Sequence, residues 1–329
     1  MTAASATDRR STRAALVHAL THNDVYVILA AFAVIAAIVT PAFRSPENLS
    51  NLLTQSALLG ILSVGQFAVV VTGGFDLSVA AVMAFASVLL AKTAGTVGFI
   101  PAALLALAAG AACGLFNGLV VTWGRVQPLI ATLAMMGIAR GLAFSISERS
   151  ILVNDPVLAA LRGVDGLLSV PTLAWLIVVV AAVLWFGTAR GALHVYAVGG
   201  NEQTARLAGV AADRVKIGVF TASGFLSGLA GVVLVIRSSS GVPLGGIGWE
   251  LDSIASIVIG GTNLFGGEGR VLHAMAGVII YQMIANMMNL AGVDPFYQDI
   301  LRAAVIILAV GFSILRQRAA SRRIILGRT

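Results

Sequence analysis

Apolar residues run along the chain in blocks interrupted by Gly, Pro or charge, without the polar face that an amphipathic soluble helix would show. The blocks fall at about 25–43, 49–72, 77–95, 98–122, 127–147, 171–188, 215–236, 251–265, 272–291 and 300–316. A bilayer-crossing helix needs about 20 apolar residues. The pattern therefore predicts an all-α fold, a polytopic transmembrane helical bundle of about ten spans. The block at 251–265 is short for a full crossing and the one at 49–72 is long. An even count puts both termini on one side. Two polar stretches are long enough to hold elements of their own, 148–170 outside and 189–214 inside.

Composition narrows the class. Apolar residues make up 58% of the 329, charged residues only 11%, and the mean hydropathy is +0.96, against about 25% charged residues in a soluble domain. A soluble enzyme, a disordered chain and a disulfide scaffold are excluded, the last also because Cys113 is the only cysteine. The net charge of +7 marks cytoplasmic loops in so apolar a chain and does not call for nucleic acid. With N-in and C-in topology, only Arg44, Lys92, Arg140, Arg149, Arg162, Arg237 and Arg302 of the 21 basic residues fall outside the inner segments. Residues 1–24, with Arg9, Arg10 and Arg13, read as a cytoplasmic N-terminal segment, 25–316 as one transmembrane domain and 317–329 as a basic cytoplasmic tail. The apolar run starting at Val25 begins too late for a cleaved signal peptide. Trp123, Trp175, Trp185 and Trp249 fall near expected span ends, where amphipathic rings prefer to sit.

Catalytic chemistry is missing from the pattern. A P-loop needs Gly-x4-Gly-Lys-Ser/Thr, and the two lysines follow Ala91 and Val215. His18 and His22 have helical spacing but no Glu or Cys beside them, and His194 and His273 stand apart in expected loops. The chain reads as no enzyme, binding no cofactor or metal of its own.

Polar groups in the membrane point to transport. Asn117, Thr132, Arg140, Asn263, Gln282, Asn286 and Asn289 interrupt apolar blocks, and such residues face a bundle interior or a watery path rather than lipid. Asp76, Ser78, Asn117, Thr132, Arg140, Asn263 and Asn286 are candidates for a translocation path. Arg140 is equally readable as a cation snorkelling to the outer interface, and the amides as bonds between helices. Gly73-Gly74-Phe75-Asp76-Leu77-Ser78 and Trp249-Glu250-Leu251-Asp252-Ser253-Ile254 form a weak repeat on opposite sides of the membrane, as an inverted repeat places them. Gly110-x3-Gly114-x3-Gly118, Gly137-x3-Gly141 and Gly224-x3-Gly228 give smooth faces for close helix packing, by default within the chain.

In the loop 189–214, residues 198–210 (VGGNEQTARLAGV) have the grammar of one short helix: Asn201 caps its start, Glu202 suits the positive end and Gly209 stops it. A helix this short is marginal alone, so it either docks on something or lies on the membrane surface.

In order along the chain stand FRSPENLSNLLTQSALLGILSVGQ, VVTGGFDLSVA, FNGLVVTWGRVQPLIATLAMMGIARG, AVGGNEQTARLAGVAADRVK and LDSIASIVIGGTNLFGGEGRV. From about Pro41 to Gly311 the sequence resembles the membrane permease of bacterial ABC importers for monosaccharides, the ribose, xylose and galactose group. The resemblance implies an inner-membrane permease, paired with a second copy or a related permease. ABC ATPase subunits below would hold the ATP and Mg, and a periplasmic sugar-binding protein would sit above. It assigns ATPase coupling to the middle-loop helix, at Asn201, Glu202, Ala205, Arg206 and Gly209. The family commonly continues DLS with Val-Gly where this chain has Val79-Ala80, a departure of one methyl that weakens any transfer of substrate preference. Competing readings are an ABC permease for branched-chain amino acids or nucleosides, and an ion-coupled secondary transporter. The second would need a chain of ionisable groups near the midplane, and the acids here stand at expected span ends.

Overall fold

The computed structural model describes residues 24–304 apart from Asp165 and Pro295, together with Ile307 and Gly311. The segment 1–23, His18 and His22 within it, the tail 317–329 and most of the expected span 300–316 lie outside the described residues. The described residues form an all-α bundle in which seven helices are long and apolar enough to cross a membrane. These are α2 (Pro46–Val71), α3 (Val79–Val97), α4 (Phe99–Thr122), α5 (Pro128–Ile146), α7 (Val170–Thr188), α10 (Ala212–Ser238) and α12 (Val271–Leu290). The shorter helices are α1 (Asp24–Val39), α6 (Pro156–Arg162), α8 (Arg190–Gly200), α9 (Glu202–Leu207) and α11 (Trp249–Ile259). The only sheet among the described residues is one antiparallel pair, β1 (Ile151–Leu152) with β2 (Ser240–Gly241), in the register Ile151 to Gly241.

Several expectations change. The block at 251–265 is helical only to Ile259. Eleven residues rise about 16 Å, half a hydrocarbon core, and a glycine-rich turn follows because Gly261, Gly266 and Gly267 all have positive φ. Asn263 lies in that turn rather than in a helix, where its Oδ1 accepts from Phe265 N at 2.9 Å. The loop 189–214 contains the expected short helix, α9, but also α8 and the start of α10, and His194 and His273, expected in loops, sit within α8 and α12.

Helix α2 is the hub. Its N-terminus is set by Ser45, whose hydroxyl accepts from Asn48 N, with Pro46 in the first turn. Leu58, Ile61, Leu62 and Phe67 are fully buried on it. Helices α4 and α10 meet through the glycine motifs: a Cβ on Gly110 would lie 2.8 Å from Gly228 Cα, and one on Gly224 would lie 2.7 Å from Gly114 Cα. The packing of these two motifs within the chain is as expected. Gly137 and Gly141 on α5 differ, since a Cβ at either would meet nothing within 4 Å among the described residues outside its own turn.

Three connections gather at one end of the bundle. Gly267 N donates to Val71 O at the end of α2 at 2.9 Å, and a Cβ on Gly199 of α8 would lie 2.7 Å from Gly267 N. The start of α1 joins them, with the Tyr26 ring edge-on to His273 at 5.0 Å.

Candidate functional site

Two polar constellations stand out in an otherwise apolar bundle, one in the corner α8–α9–α10 and one around the connection between α2 and α3.

The corner is built by local chemistry. Asn201 leaves the helical conformation, and its Oδ1 accepts from Thr204 N at 2.8 Å, starting α9. Gly209 ends the turn at φ 85°, a conformation costly for a residue with a Cβ. Arg206 bridges Glu202 at 2.8 Å and Asp213, while Lys216 from α10 reaches the other Glu202 oxygen. Partial burial acts to raise the Glu202 carboxyl, but the Lys216 and Arg206 hydrogen bonds and charges outweigh it and hold it below the ordinary glutamate value. The Asp213 and Glu202 hydrogen bonds push the Arg206 guanidinium up, so its charge is permanent. Beside this network lies a cleft also lined by Val121 and Thr122 at the end of α4 and by Trp123 and Arg125 of the α4–α5 connection.

The five expected coupling residues do not all face outward. Ala205 is 4% exposed and packs on Val198 and Ala212, inside the corner. Leu207, not among those five, is 84% exposed at the end of α9.

The second constellation is buried. Asp76 Oδ1 accepts from Ser78 N at 3.0 Å and Ser78 Oγ at 2.6 Å, and its Oδ2 accepts from Ser223 Oγ of α10 at 2.8 Å. Asn117 Nδ2 of α4 donates to Ser78 Oγ at 3.0 Å. Thr132 Oγ1 of α5 donates to Phe75 O at 3.3 Å. Four of the expected path residues thus meet at the α2–α3 connection, where they tie it to three helices. Ser223 was not legible beforehand, because a serine in a Gly/Ser-rich helix reads as a small packing residue. The carboxylate is engaged by two hydroxyls and a backbone N–H, so this network ties the connection to its neighbouring helices.

The other candidates lie apart. Arg140 Nη1 donates to Pro243 O at 2.6 Å and to Gly245 O at 3.3 Å, pinning the α10–α11 connection to α5. Asn286 exchanges two hydrogen bonds with Asn48, at 3.1 and 2.7 Å, joining α12 to α2. Asp252, at the place the weak repeat pairs with Asp76, is buried and accepts from the Tyr281 hydroxyl. No group of three or more His, Cys, Asp or Glu able to hold a metal occurs among the described residues.

Comparison with known proteins supplies the class. The profile of a family described as branched-chain amino acid transport system / permease component matches residues 48–310. The ribose import permease of Escherichia coli is 39% identical over 292 residues, covering 86% of this chain and 91% of that protein. The ribose import permease of Bacillus subtilis is 37% identical over 287 residues, with 84% and 88% covered. The L-arabinose transport system permease of Escherichia coli is 37% identical over 309 residues, with 90% and 92% covered. No solved structure matches. A match over most of the chain, on a bundle of membrane-length helices, makes this protein a member of the family of branched-chain amino acid transport system permease components.

Proposed function

We propose that the chain is the transmembrane permease subunit of an ATP-driven, binding-protein-dependent importer that moves a monosaccharide across the bacterial inner membrane. The similarity to ribose and arabinose permeases over nearly whole chains carries the substrate class. The family description names branched-chain amino acids and supports the second reading, a permease for zwitterions. Against it, the Asp76 carboxylate is already engaged by two hydroxyls and an N–H.

Within this reading α9 is the contact to the ATPase. A two-turn helix fixed by a side-chain cap, an ion-pair network and a buried alanine is stiff enough to pass on movement, and Leu207 is its outward anchor. ATP and Mg belong to that partner chain, and the sugar-binding protein docks at the opposite face. The open glycine positions 137 and 141 on α5 fit pairing with a second permease copy. Ten crossings with both termini cytoplasmic fit if α11 and the connection before it make one crossing together and the last span completes the count. The start of α1 lies at the same end as the α8–α9 corner, which supports that orientation.

The test is co-purification. Leu207→Glu should release the ATPase from membranes while the permease remains inserted. Normal ATPase association in that variant would remove α9 from the contact.

A further inference from the structure

The α10–α11 connection, residues 239–248, does not stay at the end of the bundle. It leaves α10 at Ser238 and pairs with β1, the strand that follows the outer end of α5. From there it descends along α3. A Cβ on Gly241 would lie 2.7 Å from Ala91 Cβ and 2.8 Å from Val88 Cα, and Val242 N donates to Ser87 Oγ at 3.2 Å. Further on, a Cβ on Gly246 would collide with Met83 Cε. Ala91 and Met83 stand roughly two turns apart on α3, a descent of about 12 Å. Arg140 marks the same depth. It sits about 18 Å along α5 from Pro128, and its Nη1 donates to Pro243 O and Gly245 O. The connection is therefore re-entrant: it turns near the middle of the bundle, where the half-length α11 begins.

Irregular backbone at that depth is tolerated only where protein covers it or water reaches it, because lipid satisfies no N–H or C=O. This chain does not cover it. The N–H groups of Leu244, Gly246, Ile247 and Gly248 have no acceptor among the described residues, and the Leu244 and Ile247 side chains are 56% and 64% exposed. Arg140 adds a charge to the same place. It forms no ion pair among the described residues, and Glu250 in the first turn of α11 is the acid whose field reaches it. Gly137 and Gly141 share its face of α5 and leave the surface beside it bare. Charge and unpaired backbone at membrane depth face water or protein, not lipid. In a permease that pairs with a second copy, that place is the outer mouth between the copies.

Resting on the reading of a paired sugar permease, we propose that residues 239–248 form the outer closure of the path between the two copies. Leu244 and Ile247 are its apolar stop, a constriction that excludes water and solute when shut. The unpaired N–H groups around them face the water of the mouth. Arg140 is a positioning residue, whose two hydrogen bonds hold the connection against α5. Gly246 and Gly248, at φ 70° and 86°, allow the reversal that a residue with a Cβ would resist.

The experiment uses right-side-out membrane vesicles holding the permease with its ATPase and sugar-binding protein, in a Cys113→Ser background that leaves no native thiol in this chain. Leu244→Cys and Ile247→Cys are compared with Val180→Cys. Val180 is also 56% exposed, but it lies in regular helix in the middle of α7. That helix packs along α2, with Thr54 Oγ1 3.1 Å from Ser169 Oγ and the Phe67 ring edge-on to Phe186 at 5.0 Å, and turns Val180 to lipid. A charged, membrane-impermeant methanethiosulfonate added outside should label the two connection cysteines about tenfold faster than Val180→Cys. Arg140→Gln should speed labelling of Ile247→Cys about threefold and let accumulated D-ribose leak out. Arg140→Lys, which keeps the charge on a single donor head, should fall between. A residue that merely stabilises the fold would lower the melting temperature and move neither readout. Labelling at 244 and 247 no faster than at 180 overturns the proposal. Labelling and ribose retention unchanged in both Arg140 variants overturn the role given to Arg140. Wild-type vesicles that accumulate leucine and no monosaccharide defeat the sugar reading instead. The labelling comparison needs no sugar and still decides what the connection faces.

Discussion

Asp76 accepts three hydrogen bonds inside the bundle, and its removal should be felt throughout it. Hydrogen bonds to charged groups are worth about 1.5–3 kcal/mol each, so Asp76→Ala should cost about 3 kcal/mol or more, read as a lowered melting temperature in detergent. Asp76→Asn keeps an acceptor for Ser78 and offers a donor to Ser223, and should cost less than half as much. Equal losses in the two variants would show that the network does not carry the tie. At Glu202 the sign is set by its depressed pKa. Its ion pairs contribute fully above the ordinary value of about 4.3 and are lost as pH falls through the lower folded value. The difference in melting temperature between wild type and Glu202→Gln should therefore be flat from about pH 8 to 5 and close only below about 4.3. Because Glu202 is more than a third exposed, the stability behind that difference should amount to no more than about 1 kcal/mol. Asp76, Ser78, Asn117 and Thr132 were legible in the sequence as polar residues among apolar ones. Their partner Ser223 lies 147 residues from Asp76, and Asn48 lies 238 from Asn286. No local pattern announces such pairs.

Helix α9 shows where local grammar succeeds and where it stops. The cap at Asn201 and the stop at Gly209 follow from side-chain chemistry within three or four residues, and both are present. Which face points inward depends on α8 and α10 packing around the helix, and nothing local marks Ala205 as the buried residue. The two sides therefore separate by mutation. Ala205→Trp overpacks the corner at a cost of about 1–3 kcal/mol, so its damage should appear as local unfolding, measured by faster amide exchange in residues 198–216 with or without the ATPase. Leu207→Glu should leave exchange unchanged and weaken only the complex. Loss of the cap in Asn201→Ala should cost about 1 kcal/mol and fall between them.

At the scale of the whole molecule the apolar blocks were legible because bilayer thickness imposes their length. The half-length α11 was visible as a short block, but its glycine turn and the end of the bundle it reaches were not, since both depend on contacts with Val71 and Gly199. The side-by-side run of α2 and α7 was equally hidden, because register between helices more than 100 residues apart leaves no periodic trace. Orientation is open to a direct check: reporters fused after Arg10 and after Arg323 should both signal the cytoplasmic side, and opposite signals would break the ten-crossing arrangement. The central claim is ATP-driven sugar import through this chain. Uptake of labelled D-ribose into proteoliposomes holding the permease, its ATPase and the sugar-binding protein measures it. The account predicts accumulation that requires ATP hydrolysis, stops with Leu207→Glu and is indifferent to collapse of proton and sodium gradients. Accumulation without ATPase, driven by either gradient, would contradict it.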